Sequence, residues 1–253
     1  MIDLVVATTL VIVAFGAFLL GLRVRRVLPR RYTDEATTAS VKQSVGQTAI
    51  LATVVLGFVT ASAKSNFDAS STLVAESAMR FATLDRILAS FGQRAADLRD
   101  ELKLILERQV NRMRSTVEST DSVTAIIEKV EEYEVFNRRL ASFEPKSNFE
   151  ATELQRARDL VAELLRSRWM FRLDSAAGYP IAFLLFVLVW VAFDFFYIGL
   201  NSPENALVIL TAVCVALFVA SAMFLMLELE GPMSGIIRVS TEPLERALAV
   251  LGR

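Results

Sequence analysis

The sequence predicts an all-α integral membrane protein with four transmembrane helices per subunit and a coiled-coil-like helical domain inserted between the second and third. Three observations predict it. Hydrophobic residues fill 54% of the 253 positions, and mean hydropathy is +0.46, yet 22% of residues are charged. The two kinds of residue are segregated, leaving four apolar runs of the length needed to cross a bilayer core of about 30 Å as helices. Between the second and third runs, apolar residues recur at three- and four-residue spacing, and no β alternation competes.

Composition also excludes much chemistry. Net charge is −1, which gives no global attraction to nucleic acid, and no zinc-finger or RNA-binding motif occurs. Histidine is absent, and the one cysteine, Cys214, sits inside an apolar run. A disulfide framework, a Cys/His zinc site, a His-based triad and a Cys–His nucleophile are thereby ruled out. The glycines stand singly, so no phosphate-cradling loop is present. The expectation is a protein that is not an enzyme, with no catalytic residues, no metal ligands and no cofactor.

Residues 1–66 are read as the first two spans, at about 4–22 and 43–65, joined by a basic connector at 23–42. A signal peptide competes for the first run, but the only charge ahead of it is Asp3, and the arginines Arg23, Arg25, Arg26, Arg30 and Arg31 follow it. Pro29 breaks that helix, and Thr33 or Asp34 can cap the next. The second run is the most polar of the four. At helical spacing Gly46, Ala49, Thr53, Gly57, Thr60 and Lys64 form one stripe, continued by Asp68.

Residues 67–173 change character and are read as about four amphipathic helices outside the bilayer. Leu73, Phe81, Leu84, Leu88 and Phe91 keep the helical period until Gly92 stops or kinks it. Leu98, Leu102, Ile105, Met113 and Val117 resume it. A turn is expected at 115–122. Ile126, Val130, Tyr133, Phe136 and Leu140 form the next stripe, closed by Glu144-Pro145. Ser147 and Glu150 make a capping box opening the last helix, which runs through Leu154, Leu164 and Trp169.

Residues 174–230 are a transmembrane hairpin with spans at about 175–199 and 205–228, turning at NSPEN over 201–205, and 231–253 is a short tail. Pro180 lies near the start of the third span, where proline is tolerated. The arginines of the first connector argue that this connector is cytoplasmic, which puts both termini and the helical domain outside the cytoplasm. Arg166, Arg168 and Arg172, close to the third span, argue the other way.

Three stretches carry a family resemblance. They are GLRVRRVLPRRYTDEAT followed by VGQTAILATVVLGFVTASAKSNFD, then LDRILASFG at 84–92, and FLMLELEGPMSGIIRVSTEPLERAL at 224–248. Together they resemble a bestrophin-like family of membrane proteins of unknown function, over essentially the whole chain. The resemblance implies kinship with bestrophins, which are oligomeric anion channels with four spans per subunit and a pore lined by the second span. It implies a bacterial inner membrane location and a homo-oligomer, five subunits by the bestrophin analogy. The sequence departs from true bestrophins in lacking their bulky apolar neck on the second span and their acidic calcium clasp. Glu131, Glu132 and Glu134 are more simply a solvated helix face.

The candidate residues each carry two readings. Gly57-x-x-x-Ala61 with Thr53 and Thr60 suits close helix packing, or the same face lines a water-filled path. Lys64 snorkels to the interface, or forms a positive ring at a pore mouth, with Asp68 one turn later as its intrahelical partner. Asp194 lies near the end of the third span by Tyr197 and Asn201, and a carboxylate at membrane depth is costly. Glu228 and Glu230 end the fourth span and could pair with Arg238. Trp169 and Trp190 suit anchoring or packing.

The first functional reading is a homo-oligomeric membrane pore conducting small ions, anions by the analogy, lined by the second span through Gly46, Ala49, Thr53, Gly57, Thr60 and Lys64. Its partners are the lipid bilayer, other copies of the chain and small ions. The alternative is a non-conducting membrane-anchored scaffold or sensor whose helical domain mediates self-association or partner binding. The second-span stripe discriminates between them: one that faces a central aqueous axis favours the pore, and one buried against spans one, three and four of its own subunit favours the scaffold.

Overall fold

The computed structural model describes residues 2–28, 35–114, 123–176, 181–231 and 236–252. Among them there are eight α-helices and no strand. They are α1 (Ile2–Val27), α2 (Glu35–Ser90), α3 (Ala96–Arg114), α4 (Val123–Ala141), α5 (Asn148–Ala176), α6 (Ile181–Asn201), α7 (Ala206–Glu230) and α8 (Glu242–Val250). Four helices are long and apolar enough to cross a membrane, over Asp3–Val27, Val41–Ser90, Phe183–Asn201 and Ala206–Glu230. The expected cap at Thr33 or Asp34, the turn at 115–122, Pro180, and the side chains of Ile126, Val130 and Trp169 lie outside the described residues.

The chain divides into two compact units, one of residues 1–66 and 178–231, the other of 67–177 and 232–253. In the first, an apolar cluster is built from Leu10, Ala14 and Phe18 of α1, Val187, Val191 and Phe195 of α6, and Ala216, Ala220 and Met223 of α7. Alanines dominate where helices meet because, between surfaces as apolar as lipid, close packing rather than water exclusion drives association. α1 and α6 approach closely at Gly21 and Gly199. A Cβ on Gly21 would lie 2.2 Å from the Phe196 carbonyl oxygen, and one on Gly199 would lie 2.1 Å from that of Phe18. The offset persists at the helix ends, where Arg26 holds Glu204 through both its Nε and Nη2. α1 and α6 therefore run in the same direction.

In the second unit, the core gathers Phe81, Leu84 and Leu88 of α2, Leu98, Leu102 and Leu106 of α3, Phe136 and Leu140 of α4, Val161 of α5 and Leu244 of α8. Gly92 takes φ +64°, a left-handed conformation that favours glycine, and a single 3-10 turn over Gly92–Ala95 joins α2 to α3. Across that turn Arg99 grips the buried Asp85 with Nε–Oδ1 at 2.8 Å and Nη2–Oδ2 at 3.0 Å. This paired geometry raises the Arg99 pKa above its ordinary value. The backbone N–H of Gly252 also reaches Asp85, at 3.4 Å. α3 and α4 pair antiparallel, with Arg139 on Glu101 at one end and Arg108 and Arg112 on Glu132 further along.

Four details differ from the sequence reading. The second span and the first amphipathic helix are one 56-residue helix, α2, with no break at 66–67. The polar run from Lys64 to Asp68 changes the character of the surface but contains no helix breaker. The third apolar helix starts at Ile181, not near 175, because 175–176 belong to α5. The tail also contains a helix, α8, with Pro243 in its first turn, where proline is tolerated. At α5, Ser147 Oγ accepts the Glu150 N–H at 3.1 Å as expected, but Glu150 accepts from the Lys146 N–H, one residue before the cap. That bond and Arg94 hold the Glu150 carboxyl below the usual glutamate range.

Candidate functional site

The candidate site is the upstream part of α2. Between 41 and 66 the buried or half-buried positions are Val45, Ala49, Ala52, Leu56, Val59 and Ala63, a strict four-three alternation. Leu56, Val59 and Ala63 pack with the cluster of the first unit. This is the side that α2 turns toward its own subunit.

The polar stripe lies beside that side, not on it. At about 100° per residue, Gly46, Thr53, Gly57, Thr60 and Lys64 are centred roughly 90° round the helix from the packed positions. All five are exposed, and Ala49 alone of the six is half-buried, shared between the two faces. A Cβ added at Gly46 or Gly57 would meet nothing within 4 Å. These glycines therefore admit no close neighbour from within the subunit, in contrast with Gly21 and Gly199. Thr53 donates its hydroxyl to the Ala49 carbonyl at 2.8 Å, so its methyl and its oxygen lone pairs are what it presents outward.

The contrast with the other spans is quantitative. Only 6% of the apolar stretch of α2 is buried in the subunit, against 28% for that of α1 and 22% each for those of α6 and α7. Further round α2 stand bulky apolar residues, Ile50 at 67% exposure, Leu51 at 68% and Phe58 at 74%.

The charged candidates lie on α2, α6, α7 and the segment before α8. Lys64 and Asp68 are both exposed on α2, and each takes part in an interaction. Glu228 is buried at the end of α7, whereas Glu230 is exposed. Arg238 is half-buried in the second unit. On α6, Asn201 donates to the Tyr197 carbonyl at 3.0 Å. Asp194 Oδ1, Tyr197 Oη and Trp190 Nε1 are enclosed and have no hydrogen-bond partner among the described residues. Those three polar atoms on one face of α6 were only partly anticipated, since Trp190 reads from sequence as an apolar anchor. Among the described residues, no group of three or more His, Cys, Asp or Glu side chains is placed to hold a metal ion.

A family model described as a Bestrophin-like domain matches residues 9–244. The chain belongs to the bestrophin-like family. The match takes in α1 from residue 9, the other three apolar helices and nearly all of the helical unit of this bestrophin-like protein. No curated protein and no solved structure is significantly similar to it.

Proposed function

We propose that this bestrophin-like chain is a subunit of a homo-oligomeric membrane pore that conducts small ions, with α2 as its lining helix. The observation that carries the reading is the exposure of α2. It is long and apolar enough to span a bilayer, yet only 6% of its apolar stretch is buried by its own subunit. Its outward positions include Gly46, Thr53, Gly57, Thr60 and Lys64. Hydroxyls and a lysine gain little from hydrocarbon, so a side of this composition suits water or another protein surface. A stripe buried against the subunit's own spans would instead have favoured a scaffold.

In this reading residues 1–66 and 174–230 form the membrane part, 67–173 the inserted domain outside the bilayer, and 231–253 the tail. The kinship with bestrophin anion channels supports anions as the permeant species and five as the subunit number. Lys64 at the end of the lining segment suits anion attraction, with Asp68 tempering it. The setting is a bacterial inner membrane, with the helical domain and both termini on its outer side.

Ion flux through purified protein in liposomes, with anion and cation gradients imposed separately, tests the proposal. Flux is expected, with a selectivity that shifts toward cations in Lys64→Glu. Folded, oligomeric protein that passes no ion under either gradient would favour the scaffold.

A further inference from the structure

The α6 face that carries Trp190, Asp194 and Tyr197 has no part in the conduction path proposed above. Trp190 precedes Asp194 by four residues and Tyr197 follows it by three, so each stands one turn from the carboxyl, where helix side chains are neighbours. Asp194 Oδ1, Trp190 Nε1 and Tyr197 Oη are all enclosed, and none has a hydrogen-bond partner among the described residues. An enclosed polar atom left unpaired costs free energy, and an ionised carboxylate costs most. The three groups are nevertheless complementary. The indole N–H only donates, the phenol O–H donates, and a carboxylate only accepts.

We propose that Asp194 is a proton-binding site within the membrane part of the chain, with Trp190 and Tyr197 as the donors that close on its carboxylate when the proton leaves. The inference rests on the membrane placement of α6 and not on conduction. The helices of this unit bring little other charge. On α6 the only other ionisable group is Tyr197. α1 carries no charge over 4–22, between Asp3 and Arg23, and α2 carries none over 43–63, between Lys42 and Lys64. α7 carries the thiol of Cys214, and then Glu228 and Glu230 at its end. Gly21 of α1 lies against Leu200, which puts Arg23, Arg25 and Arg26 at or beyond the end of α6, about 10 Å along the axis from Asp194. Arg26 there is held by Glu204. Two conditions satisfy the carboxyl without a cation. It carries a proton, or the flanking indole and phenol turn their donors onto its ionised oxygens. The ligand is a proton because Asp194 Oδ1 is closed off and a proton needs no room. A metal ion would need further ligands, and no group of three His, Cys, Asp or Glu side chains is placed for one among the described residues.

The chain has two tryptophans, so Trp169→Phe leaves Trp190 as the sole indole reporter. The test uses this full-length variant in liposomes and follows its fluorescence across the pH range in which circular dichroism shows the helices intact. The site predicts a single-step shift in Trp190 emission, lost in Asp194→Asn and reduced in Tyr197→Phe. Should Asp194→Asn fail to fold, a hydrophobic carbodiimide, which modifies protonated carboxyls in apolar surroundings, gives a second measurement on the parent. Mass spectrometry should find its adduct on Asp194, with a yield that falls as pH rises through the emission midpoint. Emission that stays flat, a step that survives in Asp194→Asn, or an Asp194 yield that does not change with pH overturns the site. Alkaline extraction of the same liposomes separates the two layers of the argument. Protein that resists extraction but shows no step overturns the site and leaves the membrane reading standing, whereas protein that is extracted overturns both.

Discussion

The crossing of α1 and α6 gives the sharpest structural prediction. Gly21→Ala places a methyl 2.2 Å from the Phe196 carbonyl oxygen and 2.8 Å from the Leu200 nitrogen, where ordinary contact begins at 3.4 Å. The obstructing atoms are backbone, so no side chain can swing aside. The two helices must part by about 1 Å, a gap that already forfeits a quarter to a half of each local dispersion contact. Overpacking of this kind costs about 1–3 kcal/mol. Gly199→Ala meets the Phe18 carbonyl oxygen at 2.1 Å and should behave alike. Gly16 supplies the control on the same helix, since a Cβ there meets nothing within 4 Å. The assay is the melting temperature of the purified protein in detergent, followed by size-exclusion chromatography after heating. Gly21→Ala and Gly199→Ala should each melt several degrees below the parent, and Gly16→Ala should melt at or slightly above it, because alanine is the better helix former. The double variant should cost less than the sum of the singles, because the first methyl has already separated the helices. If the three single variants melt together, the close approach does not hold the unit together.

Further predictions concern the helical unit. Arg99→Ala leaves Asp85 buried without its principal partner and should cost about 3–5 kcal/mol, read as a shift in the melting of the full-length protein. Leu102→Ala should cost about 2–5 kcal/mol by the same measurement, because that side chain is 1% exposed. Gly92→Ala should cost about 1–2 kcal/mol from its positive φ alone, since nothing lies within 4 Å of the added methyl. Glu150 has a depressed pKa in the folded state, so its contribution is fully present above about pH 4.3 and is lost as pH falls through its folded value. Glu150→Gln should therefore lower stability at neutral pH and narrow the gap from the parent as the solution is acidified below that range.

The four apolar helices were legible in the sequence because absence of charge over a bilayer-length stretch needs no tertiary information. The helical unit was legible for a related reason: Leu84, Leu88, Leu98 and Leu102 keep the helical period, and Gly92 interrupts it where φ turns positive. The tail helix was not legible. Leu244, Ala247 and Leu251 are periodic, but the run is short, and Pro243 reads as a breaker until its first-turn position is known. The continuity of α2 was hidden because Lys64, Ser65, Asn66 and Asp68 mark a change of surroundings, which resembles a helix end in sequence without being one. The stripe on α2 was found, but its neighbour was not. Small and medium residues occupy both Val45–Ala63 and Gly46–Lys64, and only packing reveals which row faces the subunit. Gly16, Gly21 and Gly57 likewise look alike in sequence, although Gly21 alone among them touches another helix.

The exposed row on α2 is the centre of the account, and thiol accessibility tests it most directly. Thr53→Cys, Gly57→Cys and Thr60→Cys, each in a Cys214→Ser background, would be reconstituted in liposomes and treated with a charged, water-soluble thiol reagent while ion flux is recorded. A lining role for α2 predicts modification from the aqueous phase and altered flux at one or more of the three positions. Cysteines that remain unmodified at all three positions, in protein that still conducts, would contradict it.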